Sequence, residues 1–120
     1  VKELRLTEAE NKLAEIIWQG QPMPSPELVK LCEERLGWKK STTYTMLKKL
    51  EKKNLFENRK SIVKAILTRD EFYAEKGMEI LDGGFAGSLP RFLAAFANSK
   101  KLSEKEIDEL QKLIDSHREE

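Results

Sequence analysis

Apolar residues in the first half of the chain recur at helical spacing, in runs separated by residues that break helices. Ala9, Leu13, Ile16 and Ile17 fall on one face. Thr7 and Glu10 have the spacing of a capping box, in which a hydroxyl and a carboxylate each satisfy the other's backbone donor, so a first helix is predicted from about Glu8 to Gln19, stopping at Gly20. Gln21-Pro22-Met23-Pro24 cannot continue it, because the prolines remove donors and restrict their neighbours; the stretch reads as an extended connector or short edge strand. Ser25 is then expected to cap a second helix with Pro26 at its first position and Leu28, Leu31, Cys32 and Leu36 as its buried stripe. Gly37 is suited to end that helix in a left-handed conformation. After the turn Gly37-Trp38-Lys39, a third helix is predicted from about Lys40 to Lys53, with Thr43, Met46, Leu47 and Leu50 on its core face. Two helices joined by a short glycine-containing turn make a helix-turn-helix unit.

Beyond Asn54 the period changes. Leu55 to Asn58 and Ile62 to Leu67 read as two strands around the basic turn Arg59-Lys60-Ser61, a hairpin or wing. Its register stays open at this level, since Ile62 and Ile66 compete with Val63, Ala65 and Leu67 for the inward face. Helical spacing resumes from Arg69 to about Asp82, and the run Gly83 to Gly87 breaks it. Ser88 caps a further helix, and Ser103 with Glu106 opens the last one. The fold class expected is mostly α with a small β-hairpin: a winged helix-turn-helix domain over residues 1–69 and a C-terminal helical dimerisation domain over residues 70–120. Short amphipathic helices are marginal alone. A second copy is the economical partner for their apolar residues Leu89, Phe92, Leu93, Phe96, Ile107, Leu110 and Ile114.

Charge changes the picture only when it is divided along the chain. The 120 residues carry a net charge of +1. Residues 1–37 hold five Lys/Arg and seven Asp/Glu, residues 38–64 nine and two, and residues 65–120 eight and twelve. A cationic middle between acidic flanks suits a protein of which one surface meets polyphosphate. A solvated lysine face would have the same charge, so position on the third helix matters more than the sum.

With Thr43, Met46, Leu47 and Leu50 inward, the opposite face of the third helix carries Ser41, Thr45, Lys48 and Lys52, flanked by Tyr44 and Lys49. Lys40, Ser41 and Thr42 stand at its start. Hydroxyls there can reach base edges or phosphates, Tyr44 can pack on a thymine methyl or bond a phosphate, and the lysines can neutralise backbone charge. Arg59 and Lys60 at the wing tip fit either a DNA backbone or minor-groove contact or a plain polar turn. Trp18 and Trp38 each adjoin an apolar-periodic run and read as core or hinge anchors.

Catalysis and metal binding find no constellation. His117 stands among Ser116, Arg118 and Glu119 near the C-terminal end and reads as a solvated helix-end residue. Gly83, Gly84 and Gly87 fit neither phosphate-loop nor dinucleotide spacing. Cys32 is the single cysteine, so it forms no internal disulfide and is expected as a buried, inert thiol. No cofactor and no metal are expected. The sequence has neither a membrane-span-length apolar run nor a signal-type block, so a cytoplasmic protein without direct membrane association is expected.

With these residues in view, the chain resembles the penicillinase-repressor family. The resemblance rests on Leu6-Thr7-Glu8-Ala9-Glu10 leading to Ile16-Ile17-Trp18, on Trp38 to Lys53 with Thr42, Leu47 and Leu50, on Gly83-Gly84-Phe85 followed by Ser88-Leu89, and on Leu102-Ser103, Glu106-Ile107 and Glu109-Leu110. It implies a homodimer that binds a palindromic double-stranded DNA operator and represses transcription. It also implies release by a membrane-bound sensor peptidase that cuts the C-terminal domain, often at an Asn-Phe bond; the corresponding position here is Ala95-Phe96. The copper-responsive branch of the family carries C-terminal cysteines, and residues 97–120 contain none. A competing reading of the same scaffold is a protein-interaction adaptor that does not touch DNA, for which neutralising the third helix would leave partner binding intact.

Overall fold

In the computed structural model, which describes residues 4–119, the first turn of helix α1 (Glu8–Gly20) carries the complete capping box. The Glu10 carboxylate accepts from the Thr7 N–H at 2.8 Å, and the Thr7 hydroxyl accepts from the Glu10 N–H at 3.1 Å. Helix α1 buries Leu13, Ala14, Ile16 and Ile17. A two-residue strand, β1 (Met23–Pro24), follows and leads into α2 (Ser25–Leu36). Gly37 ends α2 at φ 68°, where its N–H donates to Glu33 C=O at 3.1 Å and the Trp38 N–H to Cys32 C=O at 3.3 Å. Helix α3 (Lys40–Lys52) comes next, then strands β2 (Phe56–Arg59) and β3 (Ile62–Ala65), and helices α4 (Arg69–Gly84), α5 (Leu89–Ser99) and α6 (Glu104–Arg118). The fold class is the expected one, a winged helix-turn-helix with C-terminal helices.

Two local details differ from expectation. Ser25 is not the cap of α2: the cap position is Pro24, no side chain closes the helix, and Ser25 is its first residue. Helix α4 runs through Gly83 and Gly84, and the chain turns at Phe85 to Gly87 instead, where the Phe85 and Gly87 N–H groups both donate to Leu81 C=O at 2.9 Å. Gly87 at φ 74° supplies the left-handed step that this closure requires.

The hairpin register follows from burial. Phe56 faces Ala65, Asn58 faces Val63 and Arg59 faces Ile62. Val63 and Leu67 turn into the core at 0% and 5% exposure, whereas Ile62 and Ile66 face outward at 41% and 47%. Strand β1 adds to the other side of β3, pairing Met23 with Val63, so the sheet order is β1-β3-β2. The Gln21 side-chain carbonyl extends that edge by accepting from the Ala65 N–H.

Between Arg59 and Ile62 only Lys60 and Ser61 remain, at φ 52° and 63°. Two left-handed residues in a two-residue hairpin loop mark a type I′ turn, which favours Asn-Gly because at positive φ a residue's own Cβ crowds the following carbonyl oxygen. Replacing the pair by Asn-Gly is therefore expected to raise the unfolding free energy by about 1–2 kcal/mol. Urea denaturation would register this as a higher midpoint, and an unchanged midpoint would mean that the turn holds no strain.

The chain divides into two compact units, one ending at Gly77 and the other beginning at Met78. The first contains the core: Leu4, Leu13, Ile17, Met23, Leu28, Cys32, Leu47, Leu50, Leu55, Phe56, Val63 and Phe72, among others, are buried together. Each fully buried side chain of this size contributes roughly 1.5–3 kcal/mol relative to exposure. Trp18 is the anchor expected of it, its indole N–H donating to Leu67 C=O at 3.0 Å and its ring 5.3 Å from both Phe56 and Phe72. Trp38 packs partly buried against the same core. Burial pushes the Cys32 thiol above its ordinary pKa, so it stays protonated and unreactive.

The second unit is built differently. Its helices open on proper caps, Ser88 accepting from the Arg91 N–H and Ser103 forming a full capping box with Glu106. Phe92 stacks edge-on against Phe85 at 5.4 Å and lies 6.1 Å from Phe96. Yet among the described residues no side chain of α5 or α6 is fully buried. Leu93, Phe96, Leu102, Leu110 and Leu113, with Glu106 and Glu109, line an open groove of about 420 Å³. Among the described residues no helix is long and apolar enough to cross a membrane.

Candidate nucleic-acid interface

Helix α3 rests on the core through Thr43, Leu47 and Leu50, each at most 1% exposed. Met46, expected beside them, is only partly buried at the edge of that face. Fixing those positions turns Ser41, Thr45, Lys48 and Lys52 outward, and these four, with Lys40, Thr42 and Lys49, are all exposed. The amino end of the helix is open. Its cap residue is Lys39, whose side chain makes no capping bond, and its first turn holds no acidic residue. The leading N–H groups and their positive partial charge are thus directed outward beside Lys40, Ser41 and Thr42, an arrangement that attracts phosphate oxygens.

Tyr44 sits differently from its neighbours. It is half-buried and packed against the core, and its hydroxyl donates to Ser25 Oγ at 3.1 Å. Lys53, at the other end, is withdrawn from the outward face. Its ammonium lies 2.7 Å from Glu10 Oε1 and 2.6 Å from the carbonyl of Arg5, so it ties the end of α3 to the start of α1. Burial alone would raise the Glu10 pKa, but the bonds from Lys53 and from the Thr7 backbone and hydroxyl outweigh it and hold the carboxylate below its ordinary value. Sequence spacing could not reveal this pair. The partners are distant in the chain, and the one visible sign was an acid committed to a capping box.

On the wing, Arg59 and Lys60 are exposed at the tip. Lys64 is partnered by Glu57 at 3.4 Å across the two strands, which leaves Arg59 and Lys60 to carry the cationic character of the turn. The Glu51 side chain of α3 accepts from the Asn58 N–H at 3.2 Å and holds β2 against the helix. Both basic groups of the candidate interface, on α3 and on the wing, belong to the first unit. An exposed row of hydroxyls and lysines on a helix, opening on free amides and accompanied by a basic hairpin, can bind a phosphate backbone and place side chains at base edges.

The remaining candidates lie in the second unit. Leu89, Phe96, Ile107 and Ile114 are exposed, at 53%, 40%, 44% and 48%, whereas Phe92, Leu93 and Leu110 are half-buried within the unit. Ala95 and Phe96 are both exposed and lie inside α5. His117 is exposed in the last turn of α6, where a basic residue suits the negative end of the helix.

Comparison with known proteins identifies the family of the chain. The family model described as Penicillinase repressor matches residues 6–116. The penicillinase repressor of Bacillus licheniformis is 23% identical over 118 residues, spanning 95% of this chain and 92% of the relative. At that identity side-chain roles are not carried over one by one, but the match runs through both units. The chain belongs to the penicillinase repressor family of DNA-binding transcriptional repressors.

Proposed function

We propose that two copies of this chain bind one near-palindromic operator, each laying α3 in a major groove and its wing along the adjacent backbone. The observation that carries this reading is the outward face of α3, where Ser41, Thr45, Lys48 and Lys52 are all exposed beyond an open amino end. In this arrangement Ser41, Thr42 and Thr45 stand toward the bases, while Lys40, Lys48, Lys49, Lys52, Arg59 and Lys60 engage phosphates. Half-sites about one helical turn apart would meet the two helices on one side of the duplex.

The units divide the labour: the first binds DNA and the second joins the copies. The support is the contrast in burial, a closed core in the first unit against exposed Met78, Ile80, Leu89, Ile107, Leu113 and Ile114 in the second. So many large apolar side chains facing water in a small unit call for a partner surface, and a second copy presents a matching one. Release by a sensor peptidase would act on this unit. Ala95 and Phe96 lie within a helix, so cleavage there requires α5 to open before the chain can enter a peptidase in extended form.

The test is fluorescence anisotropy with duplex DNA from the region upstream of the protein's own gene and with a random-sequence duplex, each across a salt series. A dimer neutralising 6–10 phosphates loses affinity by about 10³–10⁵ between 50 and 200 mM salt. Lys48→Ala is expected to weaken binding to both duplexes and to reduce the salt slope by about one for each phosphate left without its lysine. An unchanged slope would show that Lys48 faces away from DNA. Absence of binding to either duplex at low salt would favour a protein-interaction role for the same scaffold.

A further inference from the structure

The recognition helix and the tip of the wing are joined by two consecutive hydrogen bonds that pass through Ser25. The Tyr44 hydroxyl donates to Ser25 Oγ at 3.1 Å, and the Ser25 N–H donates to the Ser61 carbonyl at 2.8 Å. Ser25 is 3% exposed and is the first residue of α2, one place beyond the cap position that the sequence suggested for it. Its hydroxyl serves Tyr44, and the backbone carbonyl of the wing tip satisfies the leading N–H of the helix. The carbonyl belongs to one of the two left-handed residues of the turn, so holding it also holds the turn that presents Lys60. Glu51, bonded to Asn58, secures the opposite strand of the wing to α3.

We propose that Tyr44 is a positioning residue for DNA recognition: through Ser25 it sets where the wing tip stands relative to α3, and it does not read bases itself. The inference rests on the reading that α3 and the wing bind DNA together. Its physical basis is that a wing contact contributes to affinity only if Lys60 meets the backbone in register with the helix; β1, Gln21 and Glu51 hold the strands, and the bond from the Ser25 N–H to the Ser61 carbonyl holds the tip itself, on a residue whose side chain Tyr44 fixes. With the ring packed on the core and the hydroxyl engaged, Tyr44 is poorly placed to turn outward, whereas the exposed Thr45 beside it is free to do so.

The experiment is anisotropy titration of the full chain over a salt series, against a fluorescein-labelled duplex from upstream of its own gene and a random-sequence duplex. The proteins are wild type, Tyr44→Phe, Ser25→Ala, their double variant, and Lys60→Ala alone and combined with Tyr44→Phe. Tyr44→Phe and Ser25→Ala are each expected to weaken binding by about three- to tenfold, the size of one missing hydrogen bond. The double variant should be no more than about twofold weaker than either single one, because both break the same connection. Lys60→Ala should lower the salt slope by about one in the wild type and by clearly less in the Tyr44→Phe background, where the tip of the wing is held less firmly. A structural weakening alone would leave the Lys60 effect the same in both backgrounds. Phenylalanine keeps the packed ring, so the Tyr44→Phe and Lys60→Ala cycle decides the matter even if Ser25→Ala fails to fold. Wild-type affinity in Ser25→Ala with weak binding in Tyr44→Phe would overturn the proposal in favour of a direct DNA contact, and so would a full Lys60 effect in both backgrounds. If the wild type bound neither duplex in a salt-dependent way, the DNA-binding geometry would fall, and the relay with it.

Discussion

Glu10→Ala is expected to lower the unfolding free energy of the N-terminal unit by about 2–3 kcal/mol, the loss of a charge-assisted hydrogen bond together with a helix cap. The Glu10 side chain is 3% exposed and the Lys53 side chain 22%, so the carboxylate is the buried member of the pair, while the ammonium would keep the Arg5 carbonyl and gain water. The same substitution removes the carboxylate that accepts from the Thr7 N–H and opens α1 at its first turn. A small domain has roughly 5–15 kcal/mol of stability in all, so urea denaturation should show a large shift in midpoint. The sign of the pH dependence follows from the lowered native pKa. The contribution is fully present above the ordinary carboxylate value of 4.5 and disappears as pH falls through the depressed native value. Glu10→Gln should therefore flatten the acid limb of stability against pH; an acid limb identical to that of the wild type would show that the pair contributes nothing at neutral pH.

Ile114→Asp is expected to dissociate the proposed dimer and, with it, to abolish operator binding. Ile114 is 48% exposed within its own chain, so the substitution should cost the isolated unit little. In a two-fold interface the change is made twice, and each copy loses up to about half of the roughly 1.5–3 kcal/mol that full apolar burial contributes, to which the penalty for a desolvated carboxylate is added. A combined loss of about 4 kcal/mol corresponds to about a thousandfold weaker association. Sedimentation equilibrium should find monomers at concentrations where the wild type is dimeric. An unchanged mass would place the interface away from this end of α6. Leu110→Asp is a less clean probe because Leu110 is half-buried and lines the groove of its own unit.

Helical periodicity was enough to identify which side of α1, α2 and α3 meets the core, because a buried face repeats on a scale that a single stretch of sequence displays. The capping boxes at Thr7 and Ser103 were legible for the same reason, each being complete within four residues. The wing register was not. Val63 and Leu67 alternate with Ile62 and Ile66, all apolar and most of them β-branched, and only packing against Phe56, Met23 and Trp18 decides which set turns inward. The exposed side chains of the candidate interface followed from the core face by geometry alone. What stayed hidden were the ties across the fold: Lys53 to Glu10, Glu51 to Asn58, and Tyr44 through Ser25 to Ser61. Each joins groups brought together by tertiary structure, and each removes a polar side chain from the set that looked free. Ser25 shows this most clearly, since local chemistry favoured a cap and a distant tyrosine claimed its hydroxyl.

Helices α1 and α6 are finished at their amino ends by their own side chains, and α2 is finished by the wing, but α3 begins on a lysine that closes nothing. Aspartate or serine at position 39 would suit the isolated fold better by a cap's worth of stability, about 1 kcal/mol. It would also set an oxygen, or a negative charge, where the proposed interface receives a phosphate. Position 39 is thus a place where the optimum of the free protein and that of the complex diverge, and a search for thermostable variants that scored only the melting temperature would be drawn toward proteins that fold better and repress less.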